Sequence, residues 1–109
     1  MISWPDFEKV EMRVGTIVEV SDFPEARNPS YKLTIDFGEL GTRKSSAQLT
    51  KLYAKEDLKG KQVIAVVNFP PKQIANFFSE CLVLGAVDEN KEVTILQPES
   101  VVKNGLRIA

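Results

Sequence analysis

Apolar and polar residues alternate without a break from Tyr31 to Phe37. Tyr31, Leu33, Ile35 and Phe37 take one side, and Lys32, Thr34 and Asp36 the other. Successive side chains of a strand point to opposite faces, so this stretch predicts a strand with one buried and one wet face. Arg13 to Val20 reads as another strand, with Val14, Thr16, Val18 and Val20 on one face and Ile17 on the other. Gly15 within it suggests a bulge or a sharp coil. Lys61 to Phe69 is almost continuously apolar, the pattern of a strand covered on both sides. Residues 43–49 form a weaker strand, polar on both faces. Two last strands are predicted at 81–87 and 93–97, on either side of the turn 88-DENK-91. Ser3, Pro5 and Asp6 supply a cap, a first-turn proline and a favourable charge for a short opening helix, with Trp4, Phe7 and Val10 to one side. Residues 50–60 read as one further short helix, apolar at Leu52, Tyr53 and Leu58 and stopped by Gly60.

Short strands at close spacing favour a small all-β barrel over a parallel sheet. Three strands, a short helix, then further strands is the order of an OB-fold, although spacing alone does not decide it. The length, 109 residues, predicts one domain. One segment does not fit a connection. Between two apolar runs, 68-NFPPKQIANFFSECLVLG-85 carries Phe69, Ile74, Phe77 and Phe78, where a loop is normally polar. These residues either pack under a long loop or form a surface that another chain or a ligand covers.

Charge changes the picture once it is divided along the chain. The net charge is −1, which argues against a nucleic-acid binder. Residues 1–26 carry six acidic and two basic side chains, net −4; residues 27–76 carry nine basic and four acidic, net +5; the remainder carries five acidic and three basic, net −2. A basic middle between acidic ends can build a local positive face, or its lysines can be scattered and solvated. There is no histidine, and the single cysteine, Cys81, lies in an apolar run and reads as a core residue. Neither a metal set nor an activated serine can be assembled, no glycine-rich phosphate loop occurs, and no spaced carboxylate pair sits in an apolar context. The expectation is a protein without catalysis, metal or cofactor. The absence of an apolar run of about 20 residues, of a signal core and of cysteine pairs predicts a cytoplasmic protein with no membrane span.

The stretches 12-MRVGTIVEVSDFPEA-26, 45-SSAQLTKLY-53, 59-KGKQVIAVVNFPPKQI-74, 79-SECLVLGA-86 and 104-NGLRI-108 together resemble the tRNA-binding-domain family of OB-folds. The resemblance covers nearly the whole chain, 1–109. It implies an OB-fold β-barrel with a short helix between strands three and four, a helical N-terminal extension over 1–12 and a C-terminal extension over 98–109, the extensions building a homodimer interface. Relatives are appended to aminoacyl-tRNA synthetases or stand alone. Some stand-alone forms are described as chaperones for export-bound preproteins, binding peptides in an apolar pocket with a basic surround. That implies unfolded or preprotein polypeptides, an export-machinery component and tRNA as partners. Phe69, Lys72, Ile74, Phe77 and Phe78 are the candidate peptide-binding residues, divided between pocket and dimer interface. Arg27, Lys32, Arg43, Lys44, Lys72, Ser79 and Leu82 are the candidates for tRNA. Ser79 can equally satisfy local backbone, Leu82 can be core, and Asn68 is expected to fix its turn. Passive polypeptide holding is the leading expectation, and tRNA binding through the basic face the alternative.

Overall fold

β-branched and aromatic residues at every second position make the long strands, and glycines and prolines separate them. The computed structural model describes residues 1–109. In chain order the elements are α1 (Trp4–Glu8), β1 (Met12–Asp22), β2 (Tyr31–Asp36), β3 (Thr42–Ala47), α2 (Lys55–Leu58), β4 (Gln62–Val66), β5 (Lys72–Ile74), β6 (Phe77–Ser79), β7 (Leu82–Val83), β8 (Gly85–Val87) and β9 (Val93–Ile95). Five of them form an antiparallel sheet in the order β3-β2-β1-β4-β7, while β5-β6 and β8-β9 are separate two-stranded ribbons. The sheet curls so that its two ends meet: the Ser45 hydroxyl on β3 donates to the Cys81 carbonyl beside β7 at 2.8 Å. The result is an all-β OB-fold barrel with a short helix between β3 and β4.

β2 follows its alternation: Tyr31, Leu33, Ile35 and Phe37 are all buried. β1 departs from its own. The register shifts between Ile17 and Glu19, so the bulge lies at Val18 and not at Gly15. The extra residue resets the faces, sending Ile17 into the core at 0% exposure and Val18 outward. Gly15 is needed for a different reason. A Cβ there would stand 2.6 Å from Ile35 Cγ2 and 2.7 Å from the Phe37 ring, so β1 can cross β2 only where no side chain intervenes.

The helix read over 50–60 shrinks to the single turn Lys55–Leu58. Tyr53 is occupied elsewhere: its carbonyl accepts from the Tyr31 hydroxyl at 2.8 Å and its own hydroxyl accepts from the Ile95 N–H at 3.1 Å. The turn still delivers Leu58 to the barrel interior, fully buried.

Both chain ends are tied to β1. The first half of β1 pairs with β4 on one edge. On the other, Val14 N–H donates to Leu106 C=O at 3.0 Å and Ile108 N–H to Met12 C=O at 2.9 Å, so the tail continues the sheet. Gln62, buried, donates to Val102 C=O at 2.7 Å and to the Asn104 side chain at 2.9 Å, and accepts from Val102 N–H at 3.0 Å. Asn68 reaches across to the other end, donating to Lys9 C=O at 2.7 Å and accepting from Glu11 N–H at 3.0 Å. It therefore anchors the approach to β1 more than its own turn.

Gly15→Ala should lower the unfolding free energy by about 1–3 kcal/mol, the usual cost of overpacking a close crossing. Urea denaturation reads this directly, and an unchanged midpoint would show that the β1–β2 crossing has room to spare.

Candidate ligand-binding cleft

Alternation along β2 and β3 puts Leu33 and Ser45 inside the barrel and Lys32, Thr34, Lys44 and Ser46 outside. The second half of β1 adds Glu19 and Ser21 to this outer face, with Val20 between them turned inward opposite Leu33, and Lys59 rises beside it from the end of α2. The β5–β6 hairpin stands over the face. Its register pairs Ile74 with Phe77 and Lys72 with Ser79 on one side, and Gln73 with Phe78 on the other. Phe77 thus turns toward the barrel and Phe78 away. Between hairpin and sheet lies an open cleft of about 340 Å³, lined among others by Lys32, Lys44, Lys59, Thr34 and Phe77.

One of the contacts that hold the hairpin over the sheet is aromatic. The Phe23 and Phe77 rings meet edge-to-face, centroids 5.3 Å apart. Lys32 Nζ lies 4.8 Å from the Phe23 centroid and 5.5 Å from that of Phe77. The negative faces of both rings attract the ammonium, and the lysine stem covers apolar surface. Phe23 is itself buried in the loop after β1, so the hairpin is referred to a rigid point.

Of the candidates for tRNA, the structure brings Lys32 and Lys44 together. Arg27 is exposed on the 23–30 loop and does not line the cleft. Arg43 alternates to the opposite side of β3 from Lys44, half-buried, where its guanidinium donates to the Val67 carbonyl. Ser79 is engaged locally: its hydroxyl accepts from Ser46 N–H at 3.2 Å and donates to Cys81 C=O at 3.3 Å. Lys72 is exposed, on the same hairpin side as Ser79. Of the candidates for peptide binding, Phe77 lines the cleft and Ile74 is half-buried beside it. Phe69 and Phe78 are each 54% exposed and Leu82 48%, so none of these three is core. The two candidate sets therefore meet, with Phe77 in the same cleft as the lysines. Lys59 was not singled out from the sequence. It lies in no alternating run, and only its place after the helix turn brings it to the cleft.

A second hollow, of about 580 Å³, lies between α1 and the C-terminus and is lined by Ile2, Ser3, Trp4, Phe7 and Ala109. No three His, Cys, Asp or Glu side chains are grouped to hold a metal ion. No helix is long and apolar enough to cross a membrane.

The family model of the tRNA binding domain matches residues 12–107. The chain belongs to the tRNA-binding-domain family. Within that family it is similar over its full length to two crystal structures. One is the chaperone CsaA from Bacillus anthracis, 51% identical, TM-score 0.96, covering 100% of this chain and 99% of that one. The other is the CsaA chaperone protein from Picrophilus torridus, 55% identical, TM-score 0.94, covering 100% of both chains. Among curated relatives it is 36% identical over 107 residues to the methionine–tRNA ligase of Thermococcus onnurineus, covering 98% of this chain but 14% of the ligase. The chain spans about a seventh of the length of the curated relatives it matches. This tRNA-binding-type domain is thus CsaA-like.

Cys81 lies at the barrel seam of this domain. Burial pushes its thiol from 9.0 up to about 11, and the Ser45 hydroxyl and Arg43 charge pull back only in part. A thiol that stays protonated is a poor nucleophile. Alkylation by iodoacetamide at pH 8 should run at least about a hundredfold slower than for a free cysteine, given the suppressed thiolate and the burial. It should recover in 6 M urea (roughly full unfolding conditions). Fast native-state alkylation would show that the seam opens readily.

Proposed function

We propose that this chain is an ATP-independent holding chaperone, a cytoplasmic homodimer that binds unfolded, export-bound preproteins in an apolar groove with a basic surround. An export-machinery component is the further partner this reading implies. The observation that carries it is the exposure of Phe69 and Phe78, each 54%, on the segment that also supplies Phe77 to the lysine-lined cleft. Two large apolar side chains left exposed on one short segment supply apolar area for a ligand to cover. Full-length similarity to the two CsaA chaperone structures supports the same reading. With no phosphate-binding loop in the sequence, holding is passive: clients are covered, then released by mass action. The dimer rests on the chain ends. Ile2 is 74% exposed, Trp4 85% and Val101 87%, and a symmetric interface between two copies would cover these apolar side chains.

The three lysines of the cleft favour a second reading, tRNA binding, in keeping with the family and with the appended domains of methionine–tRNA ligases.

A reduced, carboxymethylated model protein should bind with a negative heat-capacity change and mild salt dependence. The double variant F69S/F78S should weaken it by about tenfold, ~1.4 kcal/mol, with an unchanged circular dichroism spectrum. If the wild-type protein does not bind the unfolded chain, the chaperone reading fails. Bulk tRNA titrated at about 50 and about 200 mM salt tests the alternative, since tight binding that collapses with salt would give the lysines the leading part. In sedimentation the wild type should run as a dimer and Trp4→Ala should shift toward monomer; a monomeric wild type would remove the interface.

A further inference from the structure

The cleft under the hairpin is more than a patch of surface lysines. Lys32, Lys44 and Lys59 come from three separate elements and line one hollow, in which Glu19 is the sole carboxylate. The ion pairs of the molecule are Lys9–Asp6, Arg13–Glu11 and Lys55–Asp22, so the three cleft lysines keep no carboxylate within 4.0 Å. Lys32 is also held in place before any ligand arrives, 4.8 Å and 5.5 Å from two ring centroids. A group already ordered loses less freedom on binding. An aromatic wall, Phe77, stands directly beside these charges.

We infer that this cleft recognises acidic side chains of a bound polypeptide, so that clients are selected for a Glu or Asp next to a bulky apolar residue. The carboxylate goes to the lysines through charge-assisted hydrogen bonds, and the apolar group goes to Phe77. The inference rests on the polypeptide-binding reading above and adds a selection rule to it. Size and charge favour a short acidic segment over an extended polyanion. A hollow of about 340 Å³ holds a few side chains. Beyond its lining residue Ser21 the chain carries Asp22 and Glu25, and the whole molecule is net −1. An extended tRNA would reach past the hollow toward these carboxylates, whereas a short segment meets only the cleft, with Glu19 as its one carboxylate.

The test uses two nine-residue peptides, identical except that two central residues between Leu and Phe are Glu in one and Gln in the other. Calorimetry with the full chain at about 50 mM salt should give the Glu peptide about tenfold tighter binding, the scale of one or two partly screened charge pairs. Lys44→Gln and Lys59→Gln, both at exposed positions, should bring that ratio toward one. Lys103→Gln, outside the cleft, should leave the ratio alone. Equal binding of both peptides by the wild type overturns the selection rule while leaving polypeptide binding intact. A preference for Glu that survives K44Q and K59Q overturns the assignment to this cleft. If neither peptide binds but the unfolded protein does, the rule fails alone; if none of the three binds, the chaperone reading fails with it. Loss of tRNA binding in K44Q with peptide binding unmoved would assign the cleft to RNA and overturn the inference.

Discussion

A curled sheet with an open β3 edge would present a row of unpaired N–H and C=O groups, and the rest of this molecule depends on how that edge is closed. The closure is made by Ser79, Glu80 and Cys81, partly with side chains in place of backbone. Lys44 C=O accepts from Glu80 N–H at 2.7 Å, and Lys44 N–H donates to the Glu80 carboxylate at 2.9 Å. Ser46 N–H donates to the Ser79 hydroxyl, and the buried Ser45 hydroxyl donates to Cys81 C=O. Each such bond contributes about 1 kcal/mol net, and leaving the buried Ser45 hydroxyl unpaired would cost more. A strand that is polar on both faces is what such a seam requires. Its inward serine has an oxygen to satisfy, and its outward residues face the cleft.

The seam also decides where the cleft lies. β6 runs directly into Ser79, so fixing Ser79 against Ser46 fixes the hairpin above β2 and β3. A two-stranded ribbon is marginal by itself. Here it gains Phe77 on Phe23, with Lys32 against both rings. Lys32 therefore serves the fold and the cleft at once. The same alternation that exposes Lys44 turns Arg43 away, which separates two adjacent basic residues into one that faces the cleft and one that holds the end of β4.

The two chain ends divide their work in a comparable way. Gln62 and Asn104 give the tail a buried polar attachment, and Asn68 does the same for the approach to β1. Next to those anchors Trp4 and Val101 are left exposed, at 85% and 87%, so the polar attachments hold the ends without burying their apolar groups.

The sequence by itself determined the main strands of the barrel. Alternation in β2, the apolar run of β4 and the turn residues between strands are local signals, each set by side-chain period and backbone preference over a few residues. The buried place of Cys81 and the outlying character of 68–85 were legible for the same reason: both appear as breaks in a pattern. The tertiary structure alone decided the rest. It moved the β1 bulge to Val18, because the strand must answer β2 and β4 at once. It cut the helix to one turn, because Tyr53 is claimed by Tyr31 and Ile95. It joined Lys59 to Lys32 and Lys44, gave Ser79 to the seam, and set Phe77 inward and Phe78 outward. Those outcomes depend on partners dozens of residues away in the chain, and a pairing of that kind leaves no period for a sequence to show.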